Sequence, residues 1–115
     1  MNNIEKILLN MGITPNIDGF NYLNRAIEIC IESHSDKKQR PYYCAMYMQI
    51  GKEFNKSPSS VERAMRHGLN KARKAATKTF REMFVYDEDQ FDSMKVTISF
   101  FVENIARHVI GGYHG

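Results

Sequence analysis

Nine residues between Ser59 and Lys74 carry most of the chemistry this chain offers: Ser59, Ser60, Glu62, Arg63, Arg66, His67, Asn70, Arg73 and Lys74. On a helical wheel at about 100° per residue, Arg63, Arg66, His67, Asn70, Arg73 and Lys74 gather on one side. Val61, Ala64, Met65, Gly68, Leu69 and Ala72 gather on the other. The polar set matches what a nucleic-acid duplex presents. Arginine pairs bidentately with guanine and asparagine with adenine. Lysine and protonated histidine hold phosphates. Ser59 and Ser60, at the start of the helix, lie beside free backbone N–H groups and a positive dipole that suit a phosphate. Glu62 has two readings that stay open: it accepts from a cytosine amine, or it pairs with Arg66 at i,i+4.

Other chemistries fit these residues less well. A merely solvated helix face mixes charge signs, whereas Glu62 is the only acid from Lys56 to Arg81. His67 as a catalytic base needs a nucleophile or an orienting carboxylate, and no motif supplies one, so no enzyme activity is expected. Cys30 and His34, four apart, make half a metal site with no second pair at similar spacing. No metal or cofactor is expected. Both Cys30 and Cys44 sit in apolar helical patterns and are expected to be buried as small hydrophobes, without a disulfide.

The reading helix needs a scaffold. Ser57 reads as its N-cap and Pro58 as its first residue, and the pattern carries it to about Ala75. The preceding helix spans roughly Pro41 to Asn55, with a stripe of Tyr43, Met46 or Tyr47, Ile50 and Phe54. Gly51 supplies the small residue needed where two steeply crossed helices approach. Asn55 stands where many such turns carry glycine, because asparagine tolerates the left-handed conformation. Together the two segments predict a helix-turn-helix. Further helices are predicted over Asn3 to Met11, stopped by Gly12, and from Asp18, as N-cap, to Ser33. Two more cover Thr77 to Phe84 and Asp92 to Ile110, with the acidic Asp87-Glu88-Asp89 between them. Met46, Met48, Phe80, Met83, Phe84, Phe100 and Phe101 are expected to fill the core, and Tyr42, Tyr43 and Tyr47 to divide between core and surface. The fold expected is all-α, about six helices with an embedded helix-turn-helix, in one domain over residues 1–115.

Composition agrees with a globular domain: 43 % hydrophobic and 25 % charged residues in 115, enough for one core. The net charge of +3 hides a strong asymmetry. From Lys37 to Arg81 there are twelve basic and two acidic residues, and elsewhere four basic and eleven acidic. Such a segregated basic segment favours a partner with dense negative charge, nucleic acid first. No apolar run approaches the ~18 residues that cross a bilayer, and the first residues lack a secretory signal. No membrane partner and a cytoplasmic location are expected.

Phe54-Asn55-Lys56-Ser57 leading into Ser60-Val61-Glu62-Arg63-Ala64-Met65-Arg66-His67 resembles the recognition helix of the stage-zero sporulation regulator A family, with its V-E-R-A-x-R-H pattern. Ile13-Thr14-Pro15 before Gly19-Phe20-Asn21-Tyr22-Leu23 is similar to that family's second helix and the loop before it. The likeness covers nearly the whole chain and weakens after Arg73. It implies a six-helix effector domain that binds a short DNA box in the major groove as a transcription regulator, with Glu62, Arg63, Arg66 and His67 on the DNA. It also implies head-to-tail pairing of two copies on tandem boxes through the last helix. The family often has arginine where this chain has Ser60, so one contact is lost and the preferred box differs. The segment Lys71 to Phe84 is more basic than the family pattern. No receiver domain is expected before the helices, and the Met1 start favours a stand-alone protein. The alternative is an interaction module on the same scaffold, binding a full-length regulator or RNA polymerase instead of DNA.

Overall fold

A computed structural model describes residues 2–35, 42–84 and 96–112. Six helices follow in order: α1 (Asn3–Asn10), α2 (Asp18–Ser35), α3 (Tyr43–Phe54), α4 (Pro58–Ala75), α5 (Lys78–Phe84) and α6 (Ile98–Ile110). The described residues contain no strand, so the all-α expectation holds.

Side chains start most of these helices. Asn2 and Glu5 form a reciprocal capping box on α1, with the Glu5 N–H donating to Asn2 Oδ1 at 2.8 Å. This satisfies N–H groups that a helix leaves without internal partners. Thr77 Oγ1 accepts from the Phe80 N–H at 3.3 Å and opens α5. Gly12, at φ +90, ends the segment after α1 as its sequence position suggests.

Three boundaries differ from expectation. Asp18 lies inside the first turn of α2 instead of capping it. There its charge still complements the helix dipole. α3 begins at Tyr43 with Tyr42 at the cap position; Pro41, the expected first residue, lies outside the described residues. α6 begins at Ile98, because Thr97 is extended and its hydroxyl accepts from the Phe100 N–H at 3.1 Å. The expected start at Asp92 and the acidic loop Asp87-Glu88-Asp89 also lie outside the described residues.

α2 is the central element and packs against α1, α3, α4 and α6. Its Phe20, Leu23, Ala26, Ile27 and Cys30 are buried with Ile7, Leu8 and Met11 of the α1 region, Met65 and Leu69 of α4, Phe80 and Phe84 of α5, and Phe101 and Ile105 of α6. Each large apolar side chain removed from water in this way contributes about 1.5–3 kcal/mol. The Phe84 ring stacks on Phe101 at 5.2 Å and holds α5 to α6.

The core list needs three corrections. Cys44 and Met48 are exposed, Met48 by 53 %. Each stands two residues from buried Met46, about 200° round the helix, so both fall on the outer side of α3. Phe100 is 41 % exposed, one position off the buried Phe101 line and half covered by the Phe84 ring at 5.9 Å. Cys30 is buried as expected, and burial, reinforced by the Glu103 charge, pushes its thiol up to about 11. Among the described residues no helix is long and apolar enough to cross a membrane.

Candidate nucleic-acid interface

The turn between α3 and α4 is built by three local devices. Asn55 adopts φ 58, ψ 50, the left-handed conformation anticipated for it. The Lys56 N–H donates to the Gly51 carbonyl at 2.7 Å and closes the end of α3. A Cβ on Gly51 would lie well inside 3.0 Å of the Lys56 carbonyl oxygen. The small residue is therefore required, and the backbone it admits is that of the turn itself. Ser57 then caps α4. Its Oγ accepts from the Ser60 N–H at 3.1 Å and donates to Ser60 Oγ at 2.9 Å, with Pro58 as the first helical residue.

Two further contacts fix the pair of helices on the core. Arg25 of α2 holds Glu53 of α3 with both carboxylate oxygens, at 2.8 and 3.2 Å, and Gln49 donates to the same carboxylate at 3.2 Å. The hydrogen bond from Arg25 holds the Glu53 carboxyl below the usual glutamate range. The start of α2 presses directly on α4: a Cβ on Gly19 would strike the backbone carbonyl of Ala64. Gly68 of α4 faces the same approach, with Leu23 Cδ1 only 3.0 Å from where its Cβ would be.

This packing divides α4 lengthwise. Val61, Met65, Gly68, Leu69 and Ala72 are buried, and Ala64 is half-buried. Ser59, Ser60, Arg63, Arg66, His67, Asn70 and Lys74 are all exposed. Arg73 is half-buried, a correction to its place on the exposed side. It sits at the border of the face, where the wheel places it about 120° from Val61. Glu62 is half-buried, and its Oε1 accepts from Arg66 Nη2 at 2.9 Å. Of its two open readings, the described structure contains the i,i+4 pair. Such an exposed pair is worth about 0.3–0.5 kcal/mol, so Arg66 leaves it readily for a stronger partner.

The flanks of this face bring in residues that the wheel did not include. On one side, Asp18 and Gly19 join Ser60, Arg63, Ala64 and His67 around a cleft of about 370 Å³. On the other, burial and then the neighbouring Glu62 carboxylate raise the Tyr47 phenol above its ordinary range, and Arg66 opposes this. Tyr47 also meets Tyr43 edge-on at 6.2 Å. Asp18 gave no signal in the helical wheel because it comes from another element. Tyr47 is expected only to fall, with Tyr42 and Tyr43, on one or other side of the division between core and surface, and the sequence does not tie it to Glu62 or Arg66.

The geometry is that of a helix-turn-helix whose second helix presents a cationic, hydrogen-bonding face. A family model described as sporulation initiation factor Spo0A C terminal matches residues 4–109. That range runs through all six helices except the first residue of α1 and the last of α6. The chain therefore belongs to the family of the C-terminal domain of sporulation initiation factor Spo0A, a family of DNA-binding transcription-regulator domains.

Proposed function

We propose that this chain acts in transcription regulation by reading a short double-stranded DNA box with α4 in the major groove. The observation that carries the reading is the clean division of α4: Arg63, Arg66, His67, Asn70 and Lys74 are exposed along one side, while the opposite side is buried. A helix about 10–12 Å across fits a groove about 12 Å wide. In this reading Arg63 and Arg66 take guanines and Asn70 an adenine. His67, Arg73 and Lys74 take phosphates. Ser59 and Ser60 supply hydroxyl or backbone donors to a phosphate at the helix start. Glu62 accepts from a cytosine amine once Arg66 has turned to its base. Each well-formed bidentate base contact is worth about 1–3 kcal/mol of discrimination, more than the Glu62–Arg66 pair it replaces. The reading assigns no catalytic step. It includes two copies on tandem boxes with α6 at their contact, and a cytoplasmic location.

The test is a selection of bound duplexes from a random library by the purified protein. A recurrent short box, retained in a salt-sensitive manner, is the expected result. No salt-sensitive retardation of any duplex pool overturns the proposal.

A second reading has one observation in its favour. Tyr42, at the cap of α3, and Met48, within it, are exposed by 75 % and 53 %, as the surface of a protein-interaction module would be. Its partner would be a full-length regulator or RNA polymerase. A captured partner that duplex DNA fails to displace would favour this reading.

A further inference from the structure

A second cationic surface lies on the turn, outside the reading helix. Lys52, in the last turn of α3, and Lys56, in the break, line one cleft of about 420 Å³ together with Met48, Asn55 and Ser57. All five side chains belong to exposed residues. The backbone that carries the lysines is fixed by the left-handed Asn55, by the Lys56-to-Gly51 hydrogen bond at 2.7 Å and by the close approach at Gly51. The acid nearest in sequence, Glu53, is engaged by Arg25 and Gln49 and does not line this cleft.

Helix length makes this surface relevant to DNA. The exposed face from Ser59 to Lys74 spans about 22 Å along the axis at 1.5 Å per residue, against a groove about 12 Å wide. A straight face of that length cannot keep both ends among base edges, so its ends meet the sugar–phosphate backbones. Lys74 stands at one end, and the other end continues into the cleft of Lys52 and Lys56. We propose that Lys52 and Lys56 clasp the DNA phosphate backbone beside the start of α4, as a sequence-independent anchor. This inference rests on the proposal that α4 reads DNA. Ammonium groups bind phosphates as point charges, and each phosphate neutralised releases condensed counterions.

The test is the double variant Lys52→Gln/Lys56→Gln, with Lys6→Gln, at an exposed position of α1, as control. Affinities for a wild-type-selected duplex and a scrambled one are measured by fluorescence anisotropy between 50 and 200 mM salt. Loss of two phosphate contacts lowers the salt slope by about 1.8. Over this fourfold range the wild type then loses about 12-fold more affinity than the double variant. The selected-to-scrambled ratio stays unchanged, as does the slope of Lys6→Gln. Parallel slopes for wild type and double variant overturn the clasp while leaving the α4 reading intact. A changed ratio also overturns it, because it makes the lysines base readers. If the wild type binds no duplex in a salt-dependent way, the α4 reading itself has failed and the clasp falls with it.

Discussion

Gly51→Ala probes the joint on which the two helices of the motif are hinged. The added methyl would sit more than half an ångström inside the 3.0 Å that Cβ atoms respect, against the Lys56 carbonyl oxygen, with the Lys56 carbonyl carbon at 3.5 Å and the Pro58 nitrogen at 3.6 Å. These are backbone atoms and cannot turn aside as a side chain does. Overpacking of this kind costs about 1–3 kcal/mol. Against rigid backbone the upper part of that range, about 2–3 kcal/mol, applies; alanine returns about 1 kcal/mol through its better helix propensity, so the net loss expected is about 1–2 kcal/mol. At roughly 4 °C per kcal/mol for a domain of this size, thermal unfolding monitored by circular dichroism resolves it. Relief of the clash moves the turn by several tenths of an ångström and carries the start of α4 with it. Hydrogen bonds to base edges tolerate only about 2.7–3.2 Å, so affinity for the selected duplex falls as well, under conditions where the variant is fully folded. Gly68→Ala is the matched control. Its one tight Cβ contact is with a side-chain end, Leu23 Cδ1 at 3.0 Å, while Gly19 Cα and Ile13 Cγ2 lie at an ordinary 3.8 Å, and its stability should stay within about 1 kcal/mol of wild type. A Gly51→Ala protein as stable as wild type and equally tight on DNA would refute the reasoning.

Three other outcomes follow from local features. Ala76 ends α4 in the left-handed region at φ 47, ψ 45; Ala76→Gly should raise stability by about 0.5–1 kcal/mol in denaturant titration, because glycine avoids the left-handed penalty yet costs some unfolded-state entropy. Arg25 lowers the pKa of Glu53 in the folded protein, so the pair's stabilisation is present above the ordinary glutamate value of about 4.3 and fades as pH falls through the lowered one. With side chains 26 % and 33 % exposed, the pair is worth about 1 kcal/mol or less; Glu53→Gln should be that much less stable near pH 7 and should converge with wild type once the pH has fallen below the lowered pKa of Glu53. Native thiol titration should label exposed Cys44 quickly and buried Cys30 only after unfolding, since burial holds the Cys30 thiol at about 11.

The parts of the fold legible in the sequence are those written locally. Ser57-Pro58 starts α4, Gly51 and Asn55 shape the turn, and the apolar period of α4 separates buried from exposed positions without reference to any other element. What escaped depends on tertiary neighbours. The exposure of Cys44 and Met48 follows from which side of α3 faces α2 and α4, and apolar residue type alone suggested burial. The start of α6 at Ile98 is set by the Thr97 cap, which the apolar period of the last helix did not single out. Arg25–Glu53 links residues 28 positions apart and has no local signature. Lys52 entered the sequence reading only as charge, and Lys56 as charge and as part of the turn. Their place in one cleft beside the start of α4 required the fixed turn.

The most direct test of the central claim is the ratio of affinities for the selected and a scrambled duplex, measured side by side for wild type and Arg63→Ala. If α4 reads the box through Arg63, the ratio falls about 5- to 150-fold, the equivalent of about 1–3 kcal/mol, with most of the change on the selected duplex. An Arg63→Ala protein that discriminates as well as wild type would contradict the account.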